Sequence, residues 1–160
     1  MTTDTSEKGL ETLIMRHMTG TDGLSVAPNT VAERQRPYGY TAGSAQDYDR
    51  ARALDAPQLF AFLRATQPEA FKKLALADAN DPKDINRLKF LARLSSETAK
   101  RGVIDVLRKG VDHGPLHFVL FYGTPSPGNA RAEKLHAENR FSITRQLAYS
   151  MDETDRKSVV

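Results

Sequence analysis

The chain has 160 residues, a mass of 17.8 kDa, 39% hydrophobic and 27% charged residues, and a formal net charge of +3. This size and composition describe one globular domain with a modest core, not a disordered or collagenous chain. No apolar run approaches the roughly 20 residues that span a bilayer, the opening Met1-Thr2-Thr3-Asp4 lacks the pattern of a secretory signal, and the lack of cysteine excludes disulfides and thiol chemistry. A cytoplasmic location without membrane contact is the expectation, and the small positive excess is compatible with a polyanionic partner without requiring one.

In chain order, the first predicted helix covers residues 6–18. Thr5 or Ser6 caps it and Glu7 suits its positive end. Leu10, Leu13, Ile14, His17 and Met18 recur at helical spacing and form its apolar stripe. Residues 21–54 hold Pro28, Pro37, Gly39 and Gly43 and no sustained period, which reads as a long loop or arm. Tyr38, Tyr40 and Tyr48 either pin that loop to the body or present a surface to DNA or a partner.

Two short helices follow. Asp55-Ala56-Pro57-Gln58 starts the first, with Leu59, Phe60, Phe62 and Leu63 as its buried side. Thr66-Gln67-Pro68-Glu69 starts the second, with Phe71, Leu74 and Leu76 as its apolar residues. The longest helix is predicted to begin after Asp84 and run to about Lys109, burying Ile85, Leu88, Ala92, Ala99, Val103 and Val106. Residues 81–110 carry eight Lys/Arg against four Asp/Glu, a local charge of +4. That excess is either a solvated face or a phosphate-contacting one.

Gly110 and Gly114-Pro115 end the helical part. Residues 116–122 read as a strand covered on both sides, residues 123–129 as a turn-rich loop, and residues 130–138 as a short helix. Residues 140–150 read as the clearest strand, with Phe141, Ile143, Leu147 and Tyr149 on one face. Parity places Arg145 on that apolar face. A guanidinium there needs a carboxylate or carbonyl partner, or else an edge position that reaches solvent. The tail stays polar until Val159-Val160, where a further strand starts as the sequence stops, so the chain is expected to be the front part of something longer.

No nucleotide-binding loop, dinucleotide fingerprint or HExxH stands in the sequence, and the four histidines lack metal-ligand spacing. Glu7 and Glu11 lie one helical turn apart at the edge of the first helix's stripe. They either solvate the helix or point into a cleft. A metal-dependent nuclease needs several carboxylates around its cation, and two on one helix do not suffice.

The stretch Phe118-Val119-Leu120-Phe121-Tyr122-Gly123-Thr124-Pro125, then Glu138-Asn139-Arg140-Phe141-Ser142-Ile143-Thr144-Arg145-Gln146-Leu147-Ala148-Tyr149-Ser150, resembles the N-terminal nuclease region of type I restriction enzyme R subunits. The opening Ser6-Glu7-Lys8-Gly9-Leu10-Glu11-Thr12-Leu13-Ile14 fits the same family's first helix. The resemblance implies an α/β fold, helix-rich at the front, whose strands at 116–122 and 140–150 begin the mixed sheet of a PD-(D/E)xK endonuclease. It also implies a motor and restriction subunit that moves along DNA with ATP, cuts it with magnesium, and works with modification and specificity subunits.

By motif position Glu11 is the match to the acid cluster and Glu7 the weaker candidate, with Glu11 a metal ligand only in the complete domain. Lys89, Arg93, Lys100, Arg101, Arg145 and Gln146 are the candidate DNA contacts. The family's catalytic aspartate is expected where Val160 stands, and the Glu-x-Lys strand and motor domains are not in this sequence. The chain therefore resembles a single, incomplete nuclease domain cut off before its active site, and alone it is expected to bind neither magnesium nor ATP and not to cut. The competing reading is a non-catalytic basic helical module that docks on a partner protein or nucleic acid.

Overall fold

The computed structural model describes residues 7–28 and 39–145, with Glu7 described in its backbone alone. The fold is mixed α/β. Among the described residues there are six helices and six short strands, and the strands pair two by two. The chain divides into two compact units, one made of Met1–Ala56 and Phe141–Val160, the other of Pro57–Arg140.

The first unit holds α1 (Glu7–Thr19), β1 (Tyr40–Ala42), β2 (Tyr48–Asp49), β3 (Leu54–Asp55) and β6 (Phe141–Ile143). β1 and β6 run parallel with Tyr40 opposite Phe141, Thr41 opposite Ser142 and Ala42 opposite Ile143. The ladder gains one more bond where the Gly43 N–H donates to the Ile143 carbonyl at 2.9 Å. A side chain at position 43 would collide with the Thr144 hydroxyl, so glycine is what lets the two chains close. β2 and β3 form a hairpin, tied at its turn by Arg52 to Asp49 at 2.6 Å.

Two expectations are corrected in this unit. Residues 21–54 are not one featureless arm, because β1, β2 and the start of β3 lie within them; strands of two or three residues are too short to show a period. The apolar stripe of α1 is not its buried face: Leu10, Leu13 and Ile14 are 58%, 54% and 46% exposed. The helix instead buries Met15 and Thr19 and half-buries Glu11, Thr12 and Met18. Thr19 belongs inside because its hydroxyl donates back to the Met15 carbonyl at 2.8 Å. Of the expected strand at 140–150, the described part is β6, and residues 146–150 lie outside the described residues.

The second unit holds most of α2 (Ala56–Thr66), then α3 (Pro68–Lys73), α4 (Ile85–Arg101), α5 (Val103–Lys109), β4 (Val111–His113), β5 (Leu116–Phe118) and α6 (Ala130–Ala137). Its core is an aromatic cluster. Phe90 is fully buried, with its ring 5.0 Å from Phe118 and 5.9 Å from Phe60, and Leu63, Leu91, Val106 and Val111 pack around the same centre. Asp84 caps α4 by accepting from the Arg87 N–H at 2.8 Å. Its second oxygen accepts from Ala77 at 2.7 Å, which pins the preceding loop.

The long helix predicted to reach Lys109 is two helices. Gly102, at φ 80° and ψ 154°, leaves the helical region, caps α4 and starts α5 on a new axis. The buried side of α4 itself also differs from the expected one. Arg87, Phe90, Leu91 and Leu94 face the core, whereas the expected Ile85, Leu88 and Val103 are 65%, 38% and 55% exposed and Ala92 and Ala99 are also outside. Arg87 is tolerated inside because its Nε donates to the Ala79 carbonyl at 3.1 Å and its guanidinium lies 5.7 Å from the Phe60 ring centre.

β4 and β5 make an antiparallel hairpin across Gly114-Pro115. The strand expected to reach residue 122 stops at Phe118, and His117 is exposed, so it is not covered on both sides. Beyond it, side-chain amides stand in for a neighbouring strand. Gln67 accepts from the Val119 N–H at 2.9 Å and donates to its carbonyl at 2.8 Å. Asn139 does the same to Tyr122 at 3.0 and 2.7 Å. Each buried backbone pair is thereby satisfied without a ladder. β5 and β6, expected to open one nuclease sheet, belong to separate two-stranded sheets among the described residues.

Candidate functional site

In the first unit, α1 and the residues after β6 meet at one guanidinium. Parallel pairing with β1 fixes β6, and the chain carries Arg145 in two residues later. Arg145 lies outside the strand, so its parity with Phe141, which is 42% exposed, does not place it; it is nevertheless buried, and it has both a carboxylate and a carbonyl partner. Nη2 donates to Glu11 Oε2 at 3.2 Å. Nη1 donates to the Asp22 carbonyl at 2.9 Å and to the Thr12 hydroxyl at 3.1 Å. The Arg145 side chain is 6% exposed and that of Glu11 36%, so the cation is inside and the carboxylate sits at the rim.

Glu11 and Thr12 reach the same cation because they are adjacent on the half-buried side of α1. Asp22 is placed by the turn that ends the helix. There Thr21 N–H donates to the Thr19 hydroxyl at 3.3 Å, Gly23 N–H to the Thr21 hydroxyl at 3.3 Å, and Leu24 N–H to the Asp22 carboxylate at 3.0 Å. Gly23 has φ +71°, and a side chain there would strike the end of Met15. Thr12 and Asp22 were not foreseen as members of this group. A Thr one residue after an acid, and a helix-ending turn, occur everywhere in sequences and signal nothing specific.

Of the remaining site candidates, the Glu7 side chain and Gln146 lie outside the described residues. Arg145 is spent on its own unit rather than offered to DNA. On α4, Glu97 gathers three of the basic residues: Arg93 at 3.1 Å, Arg101 at 3.0 Å and Lys100 at 4.0 Å. Arg101 also bonds Asp105 at 3.0 Å and the Gly110 carbonyl at 2.7 Å, and Arg93 bonds the Asp112 carbonyl at 2.9 Å. The Asp105 carboxyl is held below its ordinary value by a hydrogen bond from Lys109, with Arg101 contributing. Arg93, Lys100 and Arg101 are thus engaged by carboxylates of the same helix pair while the segment keeps its net +4, and Lys89 is the candidate that stays exposed without an ion pair among the described residues.

The histidines serve structure. His113 packs edge-on against Phe90 at 5.6 Å, His117 Nδ1 lies 2.6 Å from Asp112 Oδ1 across the hairpin, and His136 Nδ1 lies 2.9 Å from the Tyr122 carbonyl. No group of three or more His, Asp or Glu side chains able to hold a metal exists among the described residues. Glu11 is a lone carboxylate already paired to a cation, and a hard divalent ion needs more oxygen ligands than that. The described residues therefore do not fit magnesium. No described helix is long and apolar enough to cross a membrane.

Compared with known proteins, the chain matches no protein family, no curated protein and no solved structure.

Proposed function

We propose that the chain is the N-terminal part of a type I restriction endonuclease R subunit. In this reading its strands and first helix belong to a PD-(D/E)xK-type nuclease domain, and the intact protein cuts DNA with magnesium and moves along it with ATP, beside modification and specificity subunits. The observation that carries the reading is the pairing of Glu11 with Arg145. The one glutamate that by motif position fits the family's acid cluster lies 3.2 Å from Arg145, two residues after the last described strand.

No catalytic step is assigned, because among the described residues Glu11 is the single carboxylate at this guanidinium. The test is nicking of supercoiled plasmid in magnesium, by the chain alone and by the chain joined to the coding sequence downstream of Val160. The reading expects cutting only by the extended protein and its loss in Glu11→Gln. Cutting by the extended protein that survives Glu11→Gln would remove Glu11 from the acid cluster, and no cutting at all would remove the nuclease reading.

One observation favours the alternative of a docking module. Ile85, Leu88, Val103, Ile104 and Leu107 of α4 and α5 are all exposed, an apolar surface beyond what two short solvated helices need. Cross-linking of the intact chain in cell extract, compared with Ile104→Lys, tests that reading.

A further inference from the structure

α4 has two apolar faces. Phe90, Leu91 and Leu94 are buried in the core, whereas Ile85, Leu88, Ala92 and Ala99 are exposed. The exposed four follow one another at intervals of three, four and seven residues. At 3.6 residues per turn they form one line along the helix, on the side away from Phe90. The line runs for about 21 Å, roughly four turns. Apolar residues at this spacing on a solvated face are what one helix offers another. Ile85 and Leu88 supply the bulk, and the small Ala92, Ser96 and Ala99 let a partner's backbone come close.

One flank of the line is basic. Lys89, Arg93 and Lys100 are spaced four and seven residues apart, and all three are exposed. Glu97, which pairs with Arg93 at 3.1 Å and lies 4.0 Å from Lys100, is only 13% exposed, so the row shows its cations to solvent. The opposite flank carries Ser95 and Thr98 and is uncharged. A second copy of this chain does not fit that pattern. Antiparallel pairing would set each basic row beside the other's basic row, and parallel pairing would set it beside Ser95 and Thr98, so neither supplies a counter-charge. A bilayer gains little from a line without aromatic residues and with two alanines. Phosphates of a nucleic acid would satisfy the cations and leave Ile85 and Leu88 without an apolar partner.

We propose that the outer face of α4 docks an acidic amphipathic helix of a partner protein. Its apolar side chains pack on Ile85, Leu88, Ala92 and Ala99, and its Asp and Glu residues run along the edge that meets Lys89, Arg93 and Lys100. The inference rests on the docking-module reading, whose partner it specifies, and uses no part of the nuclease reading.

The test titrates a synthetic helical peptide into the isotopically labelled full chain and follows the amide resonances by NMR. The peptide has about 18 residues, enough to cover the line, with Leu at the heptad a and d positions and Glu on the flanks. A twin carries Lys in place of Glu. The proposal expects a saturable shift centred on Leu88, Ala92 and Ala99 with the acidic peptide. It expects binding weakened about tenfold or more when Lys89→Glu and Lys100→Glu are combined, both at exposed positions, and a switch of that variant to the basic twin. Ile85→Gln, also exposed, should weaken the acidic peptide while leaving the charges unchanged. Vesicles of phosphatidylserine with phosphatidylcholine and a duplex oligodeoxynucleotide are the competing probes. The proposal is overturned if the acidic peptide gives no saturable shift up to about 1 mM, if the basic twin binds the unchanged chain equally well, if the charge-reversed variant keeps its affinity for the acidic peptide, or if vesicles or duplex bind the same residues more tightly. Peptide failure with the Ile104-dependent cross-link intact removes the acidic helix and leaves the docking module standing; failure of both removes both.

Discussion

The pair formed by Glu11 and Arg145 can be weighed by replacing Glu11 with Gln, Arg145 with Met, and both together. At 3.2 Å the Coulomb attraction is about 1.3 kcal/mol in water and about 5.2 kcal/mol at the effective dielectric of 20 that suits protein surfaces. Arg145 is almost wholly enclosed, but Glu11 keeps 36% of its side-chain surface in solvent. Water therefore screens the pair, and the coupling energy should fall near the lower bound, at about 1–2 kcal/mol. The exposed carboxylate and the enclosed cation also make the single changes unequal. Without Arg145 the carboxylate can turn to water, whereas Glu11→Gln strands a buried positive charge.

With two compact units, one global unfolding curve does not isolate the effect. Native-state amide exchange does. The Gly43 N–H, bonded to Ile143, reports the first unit, and the Gly110 N–H, bonded to Val106, reports the second. The cycle should appear at Gly43 and leave Gly110 unmoved. A coupling below about 0.5 kcal/mol, the level at which independent sites simply add, would refute the claim that this ion pair holds α1 to the chain beyond β6.

Three further outcomes test the second unit. Phe90→Ala should cost about 3–5 kcal/mol in urea denaturation and Phe90→Leu less than half as much, because the ring contacts Phe60, Phe118 and His113 and the vacancy cannot collapse. Gly110→Ala should destabilise clearly more than Gly114→Ala in the same assay: both have positive φ, but a side chain at 110 would meet the Phe118 carbonyl and His117, whereas 114 is open. The Asp84 carboxyl is held below its usual value of 3.8, first by the Arg87 N–H and also by Ala77, Asp78 and Asn86. A depressed folded value means stabilisation that is present above 3.8 and disappears as pH falls through the folded value, so Asp84→Asn should flatten the acid limb of a stability-against-pH curve, and an unchanged limb would deny Asp84 that role.

What could be read from the sequence depended on how many residues carried each signal. α2 and α3 began where Pro57 and Pro68 placed them, since a proline near a helix start acts locally. Arg145 was expected to need a carboxylate or a carbonyl and has both, although β6 ends at Ile143 and Phe141, of the same parity, is 42% exposed. The misreadings came from tertiary competition. Ile85 is more apolar than Arg87, yet Arg87 is the one inside, where the Ala79 carbonyl and the Phe60 ring receive its guanidinium, and Gly102 ended a helix that the periodicity carried on to Lys109. β1 was hidden for another reason: a three-residue strand is stabilised by a partner far along the chain, and no local pattern records that partner.

The parallel pairing of Tyr40 with Phe141 has a consequence for the order in which this polypeptide folds. The residues between them include one continuous run, Pro57–Arg140, with its own aromatic core, which can assemble from within that run. The first unit has no such freedom. The ladder of β1 with β6 must close a loop of about a hundred residues, a search whose entropy grows slowly with length but whose rate falls with contact order. During synthesis the inserted run can be complete while β1 still waits for its other half to leave the ribosome. Until then β1 offers an unsatisfied edge, and any delay or damage around β6 should be felt first at β1.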